Sequence, residues 1–334
     1  MKLLVVGGAG YIGSHMVKML TKAGHQVITL DNLSTGFKTA VKYGELVVGD
    51  LADLNLLENL FQQHQFNGVM HFAANSLVGE SVTNPSKYYR NNVANTLNLL
   101  DVMVRHNVKH FIFSSTAATF GEPEYVPIDE AHPQNPINPY GASKLMIERI
   151  LKDYATAYGL NSVSLRYFNA CGADPDGEMG ENHDPETHLI PLILQAASGR
   201  RNNITVFGRD YATQDGTCIR DYIHINDLCA AHALALDYLK TNQDQGALAF
   251  NLGNGQGFSV QQVIEVVKKV VVEQGCELKV EEGQRRLGDP ATLIADATQA
   301  KQTLGWQPQY DDLETIVRHA WAWEHKIAQL QGTV

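Results

Sequence analysis

The sequence predicts an α/β protein: a doubly wound parallel sheet, with a smaller mixed α/β lobe built from the C-terminal half. Two patterns carry this expectation. Short apolar runs recur at residues 3–6, 27–30, 46–48, 69–72, 111–113 and 163–167, and most are apolar at consecutive positions. A strand that is apolar on both faces is covered on both faces, as in a parallel sheet between helix layers. Between the runs, apolar residues fall at helical spacing: Ile12, Met16, Leu20 and Ala23; Leu54, Leu57, Leu60 and Phe61; Val93, Leu97, Leu100 and Val104. A longer helix is expected over residues 140–158. Strand and helix alternating in this way wind to both sides of one sheet.

The second half is less regular. Residues 172–186 are rich in Gly, Asp, Glu and Pro and predict a long functional loop. A helix is expected over 190–197, a strand over 204–207, a helix over 227–239 and a strand over 249–252 that joins the large sheet. Ser259 reads as the N-cap of a helix carrying Val263, Ile264, Val267 and Val271, and Asp311 or Asp312 as the cap of the last helix. The expected division is residues 1–170 and 171–334, with the segments near 222–252 packing back on the first unit.

Composition narrows the function. The 334 residues carry 26 basic and 36 acidic side chains, a net charge of −10. Such a surface repels phosphate backbones, so nucleic acid is not an expected partner, and an anionic ligand needs local arginines. No apolar run reaches the roughly 18–20 residues of a membrane span. The N-terminal residues lack the apolar core and cleavage site of a signal peptide. Cysteines 171, 218, 229 and 276 show no C-x-x-C or other ligand spacing. That fits a reducing cytoplasm and predicts no metal site.

The first apolar run leads straight into a turn with glycines at positions 7, 10 and 13, followed by a predicted helix. A strand, a tight glycine turn and a helix N-terminus make a pyrophosphate site, because the backbone can approach closely and the first N–H groups point at the anion. The second run ends at Asp31, where a carboxylate accepts from ribose hydroxyls and repels a 2′-phosphate; this favours NAD over NADP. Asp50 ends the third run and can accept from an adenine amino group or cap the next helix. Ala73 and Ala74 leave room for a cofactor, and His71 reads as a core histidine.

Tyr140 and Lys144 lie four residues apart at the start of a predicted helix, hence on one face. A phenol with a reference pKa near 10 becomes a base at neutral pH if cations favour its phenolate. Three units correspond to about 4 kcal/mol. Thr116, at the end of the fifth run, supplies a hydroxyl for the reacting substrate oxygen. Ser114 and Ser115 precede it, and capping of the loop is the plain reading for Ser115.

These segments resemble the extended short-chain dehydrogenase/reductase superfamily, whose members have a Rossmann-type sheet, and within it the UDP-glucose 4-epimerase family. The likeness runs through Val78-Gly79-Glu80-Ser81, Arg166-Tyr167-Phe168-Asn169, Arg220-Asp221-Tyr222-Ile223-His224, Arg286-Leu287-Gly288-Asp289 and Leu304-Gly305-Trp306. It implies an NAD-binding first domain and a UDP-sugar-binding second one. Tyr140, Lys144 and Thr116 would be catalytic, the 4-hydroxyl being oxidised and the hydride returned to the other face. Gly7, Gly10, Tyr11, Ile12, Gly13, Asp31, Asn32, Asp50, Leu51, Phe72, Ala73, Ala74, Asn91, Ser114 and Phe168 would hold NAD with Tyr140 and Lys144. Thr116, Asn169, His188, Leu189, Phe207, Arg220, Arg286 and Asp289 would hold the substrate.

The chain departs from the family where a diphosphate-side lysine aligns with Ser76 and a uridine-side asparagine with His188. The position that gates N-acetyl-sized sugars falls near Leu293, intermediate in size. A homodimer is implied, through the helices near 93–104 and 140–158. A dehydratase would need an acid pair beside the threonine, where Ala117 and Ala118 stand. An epimerase for UDP-glucuronate, UDP-xylose or an N-acetyl sugar keeps the same catalytic residues. A non-enzymatic NAD sensor has no need of Tyr140, Lys144 and Thr116 together.

Overall fold

Apolar runs that alternate with amphipathic helices leave each strand only one solution: burial between two helix layers. The computed structural model describes residues 1–242, 244–286 and 289–331; Leu287 and Gly288 of the family-like segment fall outside the described residues. The first half runs β1 (Lys2–Val6), α1 (Tyr11–Lys22), β2 (Gln26–Asp31), β3 (Glu45–Val48), α2 (Leu54–Gln63), β4 (Gly68–His71), α3 (Val78–Thr83), α4 (Pro85–Tyr88), α5 (Asn95–Arg105), β5 (His110–Thr116), α6 (Pro139–Tyr158) and β6 (Asn161–Tyr167). The remainder runs β7 (Asn169–Cys171), α7 (Leu189–Ala197), β8 (Ile204–Phe207), β9 (Ile219–His224), α8 (Ile225–Thr241), β10 (Ala247–Leu252), β11 (Gly257–Ser259), α9 (Val260–Val272), β12 (Val280–Gly283), β13 (Thr292–Leu293), α10 (Thr298–Leu304) and α11 (Leu313–Gln331).

Seven parallel strands form the large sheet in the order β10-β6-β5-β4-β1-β2-β3. The two-residue period of β1 sends Leu3 and Val5 to one face and Leu4 and Val6 to the other. Leu3 and Val5 pack with Met16, Val17 and Leu20 of α1 and with Leu228, Ala235 and Leu239 of α8. Leu4 and Val6 pack with Leu57 and Leu60 of α2, Leu99 and Leu100 of α5, and Ile147 and Leu151 of α6. The chain leaves β1 for β2 and β3, then returns to place β4 on the other side. A crevice opens at that switch point, beyond the carboxyl ends of the strands.

The second lobe has its own core, where Ile190, Ile193 and Leu194 of α7 meet Val263, Ile264 and Val267 of α9 and Ile316 and Trp321 of α11. β10 lies at the edge of the large sheet beside β6, and α8 covers that sheet, so this stretch of the second half belongs to the first lobe's core. Ser259 caps α9 in a full capping box with Gln262, and Asp312 accepts from Thr315 N at the start of α11.

Two features depart from the periodicity. The helix expected near 93–104 begins as a π-helical turn over Tyr89–Ala94. The strands β7, β9, β11 and β13 form a small sheet, with β9 at its centre, that no apolar run announced. Among the described residues no helix is long and apolar enough to cross a membrane.

Candidate active site

At the switch point, a cleft of about 630 Å³ is lined by Gly7, Gly10, Asp31, Asn32, Asp50, Leu51, Phe72, Ala73, Ala74 and Asn91. Its floor is the glycine turn. Gly7 has φ +81°, and a Cβ there would stand 2.5 Å from Ala73 N; a Cβ on Gly13 would stand 2.1 Å from Gly7 O. Those two glycines are required by the fold itself. Gly10 differs: its nearest neighbour to a Cβ is Gly7 O at 3.4 Å, and it faces the cleft. It also serves as the N-cap of α1 without a side-chain cap, and the first helical bond is Ser14 N to Gly10 O, 3.0 Å. The N–H groups of Tyr11, Ile12 and Gly13 precede that bond, at the positive end of the helix dipole. Open space at Gly10 beside helix-start donors fits a pyrophosphate.

The carboxylates of the cleft are anchored. Asp31 accepts from Ala9 N at 2.9 Å and Leu33 N at 2.8 Å, which ties the end of β2 to the glycine turn. Asp50 accepts from Asn32 Nδ2 at 2.6 Å and from Ala52 N at 2.8 Å. Asp53, not Asp50, caps α2. The Tyr11 side chain leaves the cleft altogether, its hydroxyl donating to Gly172 O at 2.7 Å.

Beyond β5 lies the second half of the site. Asn138 caps α6 by accepting from Gly141 N at 2.8 Å, and Pro139 takes the first helical position, where no N–H is needed. A Cβ on Gly141 would stand 2.3 Å from Ala118 O, so glycine lets α6 close on the turn after β5. That approach brings Tyr140 at the start of α6 beside Thr116 at the end of β5. Lys144, one turn on, donates to Ser114 O at 2.8 Å and lies 4.7 Å from the centre of the Phe113 ring. Burial raises the Tyr140 phenol above its ordinary value, and the neighbouring Thr116 side chain opposes that shift. Burial pulls Lys144 down to about 7, against the Glu148 carboxylate. Lys144 is thus tied to the backbone of β5. His71 is a core residue between Phe111 and Phe113, with Nε2 3.0 Å from Thr96 Oγ1, and burial lowers it to about 3.

The second lobe contributes a row of polar groups. Asn169 on β7 donates to Asp221 O at 2.8 Å, placing it beside Arg220 on β9. Arg220 pairs with Asp289 and donates to Ile219 O at 2.8 Å. The Arg286 guanidinium stands 4.1 Å from the centre of the half-exposed Phe207 ring. Leu293 on β13 is in register with Arg220. His188 and Leu189 open α7, and Phe168 lies between β6 and β7. The described residues form two groups, one around the glycine turn and α6, the other on β7, β9 and the segments facing them.

Three features escaped sequence reasoning. Asn92, turned inward by the π-helical turn, joins Asn75 to Ser143 of α6 through bonds of 2.9–3.0 Å. Glu148 and Arg166 form a buried ion pair, and Glu148 also accepts from Ser115 Oγ at 2.6 Å. Glu181, His183, Glu186 and His188 converge in the loop before α7. Their spacing in the sequence is Glu-x-His-x-x-Glu-x-His, a signal that carries no cysteine.

Comparison with known proteins agrees with this geometry. Residues 3–253 match the model of the NAD dependent epimerase/dehydratase family. The UDP-glucose 4-epimerase of Halalkalibacterium halodurans is 53% identical over 98% of this chain and 96% of its own length. The crystal structure of UDP-glucose 4-epimerase from Brucella ovis in complex with NAD superposes with a TM-score of 0.93, at 49% identity, covering 97% of this chain and 98% of that one. The UDP-Glc/GlcNAc 4-epimerase of Campylobacter jejuni is similar too, with a TM-score of 0.84 and 46% identity over 97% of this chain and 99% of that one. With three-quarters of its length covered by the family model and relatives about half identical over nearly the whole chain, this chain belongs to the NAD-dependent epimerase/dehydratase family.

Proposed function

We propose that the chain is an NAD-dependent UDP-glucose 4-epimerase, interconverting UDP-glucose and UDP-galactose through a transient 4-keto sugar. The observation that carries this reading is the placement of buried Tyr140 beside Thr116 at the carboxyl end of β5, with Lys144 one turn along the same helix anchored to Ser114 O. NAD held in the cleft would supply the hydride acceptor and then the donor. Tyr140 takes the proton of the sugar 4-hydroxyl and returns it after the ketone has presented its other face. Thr116 orients that oxygen, and Lys144 holds the nicotinamide ribose.

The remaining assignments are those the family resemblance implies, and the cleft lining of Gly7, Gly10, Asp31, Asn32, Asp50, Leu51, Phe72, Ala73, Ala74 and Asn91 supports part of them. The backbone of Gly7, Gly10, Tyr11, Ile12 and Gly13 receives the pyrophosphate; Asp31 and Asn32 take the ribose, and Asp50 and Leu51 the adenine. Phe72, Ala73, Ala74, Asn91, Ser114 and Phe168 line the path to the nicotinamide. Asn169, His188, Leu189, Phe207, Arg220, Arg286 and Asp289 hold the UDP, the arginines supplying the positive charge that a net −10 lacks. A firm grip on the nucleotide leaves the sugar free to turn.

The Campylobacter jejuni likeness and the middle-sized Leu293 beside Arg220 support a second reading, in which UDP-N-acetylhexosamines are also accepted. We further propose a homodimer through α5 and α6, supported by Met146 and Tyr158, about half exposed on α6. A cytoplasmic location is supported by four unpaired cysteines. The test is incubation of the purified chain with UDP-galactose or UDP-N-acetylgalactosamine, without added NAD, following C4 configuration by NMR. Formation of UDP-glucose without accumulating ketone is expected. Dependence on stoichiometric NAD with a ketone product indicates a dehydrogenase instead.

A further inference from the structure

The loop between β7 and α7 gathers four side chains with metal-ligand chemistry. One donor atom each from Glu181, His183, Glu186 and His188 lies within 4.8 Å of the others. We propose that this loop binds one divalent transition-metal ion, zinc above others, through two imidazole nitrogens and two carboxylate oxygens.

The geometry is close to that of a loaded site. Nδ1 of His183 lies 3.1 Å from Glu181 Oε1 and 3.6 Å from Glu186 Oε2, and Nδ1 of His188 lies 3.7 Å from Glu186 Oε1 and in closer contact with Glu181 Oε1. Zinc takes nitrogen and oxygen donors at about 2.0–2.2 Å, which sets tetrahedral neighbours about 3.3–3.6 Å apart. With Glu186 binding through Oε2, the His183 separations of 3.1 Å and 3.6 Å bracket that range, and the close His188–Glu181 contact has to open to admit the ion.

A separate observation points to a ligand. The Glu186 side chain is only 4% exposed, and its Oε2 has no hydrogen-bond partner. Its other oxygen accepts from Thr187 N at 2.7 Å and His188 N at 2.9 Å, which fixes the carboxylate with Oε2 aimed into the cluster. With no hydrogen bond to it, this buried oxygen has only the 3.6 Å contact with His183 Nδ1, and a cation between the two would satisfy it better. His183 and His188, 32% and 53% exposed, leave a path for entry. Two imidazoles with two carboxylates suit zinc and its neighbours better than magnesium or calcium, which take oxygen alone. The outer contacts are in place as well. Trp323 Nε1 donates to Glu181 O at 3.0 Å, and the Tyr11 ring meets His183 edge-on at 6.1 Å. These contacts hold the loop against α1 and α11, so an ion here would stiffen a segment that is already docked.

The test titrates EDTA-treated, dialysed full-length protein with Zn²⁺ alone against a competing chelator. One equivalent per chain is expected, with a rise in Tm at saturation. Glu186→Gln and His183→Gln should each weaken binding on the order of 100-fold or more, since even outer-shell partners account for 10–100-fold. X-ray absorption of the zinc-loaded parent should show a nitrogen and oxygen shell with imidazole scattering, a readout that does not depend on the variants folding. Absence of saturable binding, sulfur in the metal's shell, or unchanged affinity in both variants overturns the proposal.

Discussion

Tyr140 and Lys144 share one helix face, but burial drives them in opposite directions, the phenol up and the ammonium down to about 7. The pairing was legible from the four-residue spacing. Its electrostatics were not, because spacing does not report that Lys144 reaches Ser114 O instead of the phenol. A lysine near 7 when folded and near 10.4 when unfolded means the unfolded chain binds more protons between those values. Stability attributable to Lys144 therefore rises with pH from about 7 to about 10, being lowest where the folded protein must carry the buried charge. In protein stripped of nucleotide, the Tm of Lys144→Met relative to the parent should fall across that interval. Thermal melts at pH 7, 8, 9 and 10 check it, and a constant difference contradicts the assignment.

At the scale of elements, the parallel strands were readable because burial on both faces leaves continuous apolar runs. The small sheet was not, since β7, β11 and β13 span two or three residues each and mix polar with apolar. The π-helical turn at Tyr89–Ala94 was equally silent, its apolar spacing being that of the α-helix it leads into. Glycines separate by what their missing Cβ would meet. Gly10→Ala should leave Tm within a few degrees of the parent but weaken NAD binding, since the methyl group enters the cleft. Gly13→Ala should destabilise the fold, as its Cβ has only 2.1 Å to Gly7 O. Paired melting and NAD titration distinguish the two, and equal melting losses would refute the distinction. Gly141→Ala tests the closure of α6 on β5. A Cβ 2.3 Å from Ala118 O forces Tyr140 from Thr116, and a displacement near 1 Å can lower kcat on the order of 100-fold. Unchanged kcat in a folded variant contradicts this.

At the scale of the whole molecule, four histidines, His15, His71, His224 and His232, are buried as neutral rings. Burial lowers His15 and His232 to about 4 and His71 and His224 to about 3. As pH falls from about 6.5 toward 4, the unfolded chain takes up protons that these folded sites refuse, so stability falls. Asp221, held near 6 by burial, works against that trend, as do Glu130, Asp227 and Glu324, which burial also raises; Glu181, held down to about 2, adds to it as the pH approaches 4. Tm should drop steadily from pH 6.5 to pH 4.5, as calorimetry can show; a flat profile contradicts the burial of neutral rings. None of this was visible in a list of 13 histidines, because their positions in the sequence do not tell which rings the two lobes enclose.

The most direct measurement of the catalytic claim is turnover of UDP-galactose by Tyr140→Phe, with bound NAD quantified in the same sample. Loss of the phenolic oxygen should reduce kcat by roughly 10²–10⁴-fold, the usual share of a positioned acid–base group, with NAD content near that of the parent. A decrease of less than tenfold, with NAD still bound, would show that the proton leaves the sugar by another route.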